Sequence, residues 1–142
     1  MSHSDSLPGE IETLRRLRRH RADRAERALR EAKRTQQTLL ANIRQAQDTL
    51  EQTRLEEAQQ SAQLLNQHQG QVLTFQALKS WSAQEQTLTA STRREEGQLH
   101  TLHEQREQQE IEIGTAQKQV TLCLRQVEKL QELSILLAQE PT

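Results

Sequence analysis

The chain has little of nearly everything from which a globular core is made. Its 142 residues include one phenylalanine (Phe75), one tryptophan (Trp81) and no tyrosine, and only 32% are hydrophobic. A globule of this length fills its interior with large apolar side chains, so a thick core is excluded. Proline occurs only as Pro8 and Pro141, which leaves a long stretch that no proline breaks. The single cysteine, Cys123, excludes an internal disulfide and fits a reducing cytosol. No run approaches the ~20 apolar residues of a membrane span, and no apolar signal core follows the start. The expectation is a soluble cytoplasmic protein without direct membrane insertion, not exported by the general route.

What remains is rich in Ala, Leu, Gln, Glu and Arg, all good helix formers, which favours helix over the disorder that a mean hydropathy of −0.93 would otherwise allow. A two-stranded coiled coil suits this composition, because each helix buries only about two positions in seven. From Ala22, one seam position runs Ala22, Leu29, Gln36, Ile43, Leu50, Glu57, Leu64, and the other Ala25, Ala32, Leu39, Ala46, Thr53, Gln60. Ile11, Leu14 and Leu17 read as out of phase with this frame. A second tract holds Leu78, Glu85, Thr92, Leu99, Arg106, Ile113, Val120, Val127 in one position. Its other position holds Trp81, Leu88, Glu95, Leu102, Gln109, Ala116, Cys123, Leu130, Leu137. Gly70 is the best helix stop between the tracts.

The fold class expected is all-α, a long two-helix antiparallel coiled-coil hairpin. Residues 1–7 form a flexible leader, 8–138 the hairpin, and 139–142 a tail. Helix 1 covers about 8–67, the tip about 68–75 and helix 2 about 76–138. Pro8 is expected in the first helical turn, where proline is tolerated. In antiparallel pairing the numbers of facing residues have a constant total. A total of 145 sets Gln36 opposite Gln109, Ala46 opposite Leu99 and Thr53 opposite Thr92; one of 138 is the competing register. Each arm of about sixty residues would extend ~90 Å. Polar seam residues cost stability and fix register.

Charge is unevenly spread. Residues 11–34 carry ten Arg/Lys and four Asp/Glu, so +6, leaving nine basic and sixteen acidic groups elsewhere, so −7. Glu12–Arg16, Asp23–Arg27 and Glu26–Arg30 have the spacing of intrahelical pairs. That leaves Arg15, Arg18, Arg19 and Arg21 in surplus, and with Arg16 and Arg24 they form a candidate partner-binding surface. A basic helix entering heptads also has the layout of a DNA reader. Here acidic residues interrupt the basic stretch, and no Asn or Gln stands within it to read adenine, so nucleic acid is not expected as a partner. Val72, Leu73, Phe75, Leu78 and Trp81 gather at the proposed tip. They either close the hairpin on Leu64 and Leu65 or offer an apolar protein contact. His100, His103, Glu104 and Glu107 lack the convergent ligand set of a zinc or di-iron site. Cys123 reads as a small buried hydrophobe. No catalytic, cofactor or metal site can be assembled, so no enzyme and no cofactor is expected.

Leu14-Arg-Arg-Leu-Arg-Arg-His-Arg-Ala-Asp-Arg-Ala-Glu-Arg-Ala-Leu, opening a Gln/Glu-rich hairpin, resembles the FliJ/YscO-like stalk proteins of bacterial type III secretion, nearest in character to the Hrp-type members of plant-associated bacteria. The resemblance implies a non-enzymatic stalk whose paired-termini end enters a hexameric secretion ATPase. It also implies contact with the export gate and with substrate chaperones. Carried over by position, Arg15, Arg16, Arg18, Arg19, Arg21 and Arg24 would meet acidic surfaces of the ATPase ring, and Phe75 and Leu78 would face the gate. Leu130, Leu133, Ile135, Leu136 and Leu137 would pair with Ile11, Leu14 and Leu17. The chain is expected to be a monomer on its own. Rival readings are a parallel coiled-coil homodimer, a secretion chaperone and a basic-helix nucleic-acid binder.

Overall fold

The computed structural model describes residues 3–140. Two helices account for nearly all of them, α1 (His3–His68) and α2 (Phe75–Gln139), and no strand occurs among the described residues. The chain is therefore an all-α helical hairpin. The continuous helix that a parallel homodimer requires is interrupted at residues 69–74. Pro8 lies inside α1 rather than in its first turn. Its missing N–H costs a single hydrogen bond close to the helix start, where the loss is small. Pro141 lies outside the described residues.

The turn is built by three local devices. Gln69 N donates to Leu65 O at 2.9 Å, and Gly70 takes a positive φ of 76°, the left-handed conformation that ends a helix cheaply when no Cβ is present. Thr74 then caps α2, its Oγ1 accepting from Ala77 N at 3.1 Å. The Ser/Thr-rich stretch after it stays helical, with Thr87 bonding back to Ala83 O at 3.0 Å.

The chain divides into two compact units, one of Thr38–Glu107, containing the turn, and one of the residues up to Gln37 with those from Gln108 onward. In this second, terminal unit the core is made of small side chains. Ala22, Ala25 and Cys123 form one buried cluster, with Val120, Leu124 and Val127 packed against it. That is the arrangement of the 145 register, which faces Ala22 with Cys123; the 138 register would place Arg15 there. Ile11 also proves to be in phase, fourteen residues before Ala25, and is half-buried. The seam does not slip at the start of α1. It continues through Arg18 and Ile11 and leaves Leu14 and Leu17 exposed.

In the turn unit Leu39, Ile43 and Leu50 are the buried apolar residues, joined by Thr92. Here the sequence frame needs two corrections. Ser61 rather than Gln60, and Ala77 rather than Leu78, occupy the partly buried positions. Successive steps of four (Glu57, Ser61; Trp81, Ala77) match a straight helix better than a left-handed supercoil, so the winding relaxes towards the turn. The seam there is polar. Glu57 accepts from Thr92 Oγ1 and from Thr89 Oγ1 (3.4 Å), and Glu85 accepts from Ser61 Oγ (2.9 Å) and Trp81 Nε1 (3.3 Å). Thr92 thus meets Glu57, one turn beyond the expected Thr53.

In the terminal unit Gln109 Nε2 donates to Ala32 O at 2.9 Å instead of meeting Gln36, whose buried Oε1 has no hydrogen-bond partner among the described residues. A buried acceptor left unsatisfied costs about 1–3 kcal/mol. Replacing both glutamines by leucine should therefore raise the melting temperature in thermal unfolding followed by circular dichroism. An unchanged or lower melting temperature would show that the layer is already satisfied.

Candidate functional site

The basic stretch of α1 is distributed around the helix, and its arginines differ in what they touch. Glu12 is shared by Arg15 and Arg16, each at 3.5 Å, and Asp23 pairs with Arg19 at 3.6 Å rather than with Arg27. These pairs are exposed and worth only a few tenths of a kcal/mol each, roughly 0.3–0.5 for helix pairs, so they do not hold the arginines away from a partner. Arg18 is different. It sits in the seam and donates through Nη1 to Gln126 O at 2.8 Å, tying α1 to α2. Arg21 and Arg24 are exposed and have no ion pair among the described residues. Of the six expected contact arginines, these two are the most available, and Arg18 is committed to the fold.

The tip residues divide in the same way. Trp81 stacks on His68 with ring centroids 4.9 Å apart and an interplanar angle of 25°, and Leu73 is half-buried. These two close the hairpin. Val72 and Phe75 are 103% and 80% exposed, and Leu78 is also open to solvent. Phe75 and Leu78 line a shallow groove on α2 with Lys79, Ser82, Ala83 and Gln86. The five residues that sequence grouped together are thus two structural side chains and three exposed ones. Leu64 lines a separate, glutamine-rich groove between the helices, while Leu65 stays exposed.

His100 Nε2 lies 2.8 Å from Glu104 on an exposed face of α2. Among the described residues no three His, Cys, Asp or Glu side chains are placed to hold a metal ion. Arg21 and Arg24 in the terminal unit, and Val72, Phe75 and Leu78 in the turn unit, are thus the exposed members of the two candidate sets. A profile of the type III secretion protein YscO matches residues 11–141, a range that takes in the basic stretch, the turn and the far end of α2.

The chain belongs to the YscO family.

No curated protein and no solved structure matches it. Membership of the YscO family makes the chain a type III secretion protein, associated with that machinery. No helix among the described residues is long and apolar enough to cross a membrane. The heptad argument did not single out the Glu57–Thr89–Thr92 and Ser61–Glu85–Trp81 bonds of this YscO-family hairpin. The signal for them was present as carboxylates and hydroxyls standing in seam rows, at Glu57, Glu85 and Thr92.

Proposed function

We propose that this YscO-family protein is a non-enzymatic stalk that seats its paired-termini end in a hexameric type III secretion ATPase and links it to the export gate and to substrate chaperones. The observation that carries the reading is the excess of cation on α1, where Arg21 and Arg24 stand exposed without carboxylate partners among the described residues. Charge of one sign on a helix surface steers association with an acidic partner and fixes its register. The exposed Val72, Phe75 and Leu78 serve as the gate-facing contact. The stalk acts without chemistry of its own, by contacting one ring conformation better than another.

Reversing Arg21 and Arg24 to glutamate (R21E/R24E) tests it. Neither side chain takes part in the seam, so helicity should stay at the parental value. Co-purification with the cognate ATPase at moderate salt should fall by about tenfold or more, as expected when rim charges clash. Undiminished capture of the ATPase by a folded double variant would remove the electrostatic basis of the stalk reading.

A further inference from the structure

The terminal unit has two unlike flanks, one apolar and one charged. With Ala22 and Ala25 in the seam, Leu7, Leu14 and Arg21 repeat at intervals of seven in the row beside Ala25, and Leu17 and Arg24 stand in the next row out. On α2, where Val120 and Cys123 hold the seam, the corresponding rows carry Gln126 and Leu133, then Leu122, Lys129 and Leu136. Reversal of chain direction in an antiparallel pair brings these corresponding rows to the same side of the hairpin. The Arg18–Gln126 hydrogen bond joins the two helices along that edge. Leu7, Leu14, Leu17, Leu122, Leu133 and Leu136 therefore line one flank, between 37% (Leu14) and 62% (Leu136) exposed. The opposite flank is charged and carries the Glu12–Arg16 and Arg19–Asp23 pairs.

Six half-open leucines fall on one side, and exposed apolar clusters of this kind mark protein contacts. The charges on that side select among occupants. Arg21, Arg24 and Lys129 border the leucines without an ion pair among the described residues, and Glu10 is the one acidic residue in the α1 rows between Leu7 and Arg24. A second copy of the chain, meeting this face through a two-fold axis, would set two faces of the same net positive charge against each other. An amphipathic helix with an apolar stripe and acidic margins satisfies both features. Lying along the valley between α1 and α2, it would complete a three-helix bundle.

We infer that the flank carrying Leu14, Leu17, Leu133 and Leu136 is a docking groove for an acidic amphipathic helix of a partner protein. The groove spans about five helical turns, from Leu7 to Arg24, so an occupant of about 18 residues fills it. This goes beyond the ATPase reading and does not depend on it, since the flank is defined by its leucines and the test contains no ATPase.

The probe is a pair of fluorescein-labelled designed peptides of about 18 residues, with leucine at helical three-four spacing and margins of glutamate in one and lysine in the other. Fluorescence anisotropy with the full-length protein should show the glutamate peptide binding at least about tenfold more tightly than the lysine peptide. Leu14→Gln with Leu133→Gln should weaken the glutamate peptide by a similar factor. Leu55→Gln with Leu65→Gln, exposed leucines of the turn unit, should leave it unchanged. The comparison of two peptides on the parent protein needs no variant, so it stands even if a substitution harms folding. Equal affinity for both peptides, or no binding of the glutamate peptide, overturns the inference. So does a sedimentation result in which the parent is a dimer and the Leu14/Leu133 variant a monomer, because a second copy would then cover the flank.

Discussion

A cysteine placed at position 22 should form a disulfide with Cys123 under mild oxidation and raise the melting temperature steeply. Ala22 is fully buried, Cys123 is 5% exposed, and both belong to one cluster. The bond would close a loop of about a hundred residues, for which the loss of unfolded-state freedom stabilises by up to about 4–5 kcal/mol, less any native strain. The thiol at position 123 has no competitor within the chain, because the sequence contains no other cysteine. The control is Arg15→Cys, the residue that the 138 register would bring opposite Cys123. It should stay reduced under the same conditions. Non-reducing electrophoresis reads the bond, and thermal melts with and without reductant read its effect. Crosslinking through position 15 but not 22 would show the helices paired one heptad away from the register described.

Leu130→Ala should be the most damaging single apolar truncation in the terminal unit. Leu130 is 3% exposed, and among the described residues no other large aliphatic side chain of that unit is buried as deeply. Removing its terminal carbons loses transfer free energy and leaves a void, together about 2–5 kcal/mol. A hairpin without a single large, fully buried side chain among the described residues has little reserve against such a loss. Leu133→Ala, three residues along and 48% exposed, should cost no more than roughly 0.5 kcal/mol. Urea titration followed by circular dichroism separates the two. Equal losses at both positions would mean that the flank of Leu133 is covered in solution.

The hairpin was legible in sequence because heptads of either helix keep one phase over most of their length. Ala22, Leu29, Ile43 and Leu50 announce α1, and Leu99, Val120, Cys123 and Leu130 announce α2, with Gly70 between them. Phase was lost where polarity and apolarity changed places. At the start of α1 the conspicuous Leu14 and Leu17 drew attention from Ile11 and Arg18, although those two continue the row of Ala25. An arginine holds a seam position there because its guanidinium reaches a backbone carbonyl of α2. Near the turn the frame moved by one residue to Ser61 and Ala77, where hydrogen bonds to Glu85 and the His68–Trp81 stack set the geometry more than leucine packing does. The arginine cluster was visible as a run. Its division into paired, seam-bound and free members depends on rotamers and on the second helix, and neither is written in the local sequence.

The alanine-lined seam beside Cys123 also sets a calibre. Helix axes approach to about 8 Å when small side chains meet and stand nearer 10 Å when leucines do. The two helices should therefore pack unusually close beside Cys123, and enlarging Ala22 or Ala25 would thicken the pair without altering a single surface charge. The girth of this end is thus set by small seam residues, independently of its charges.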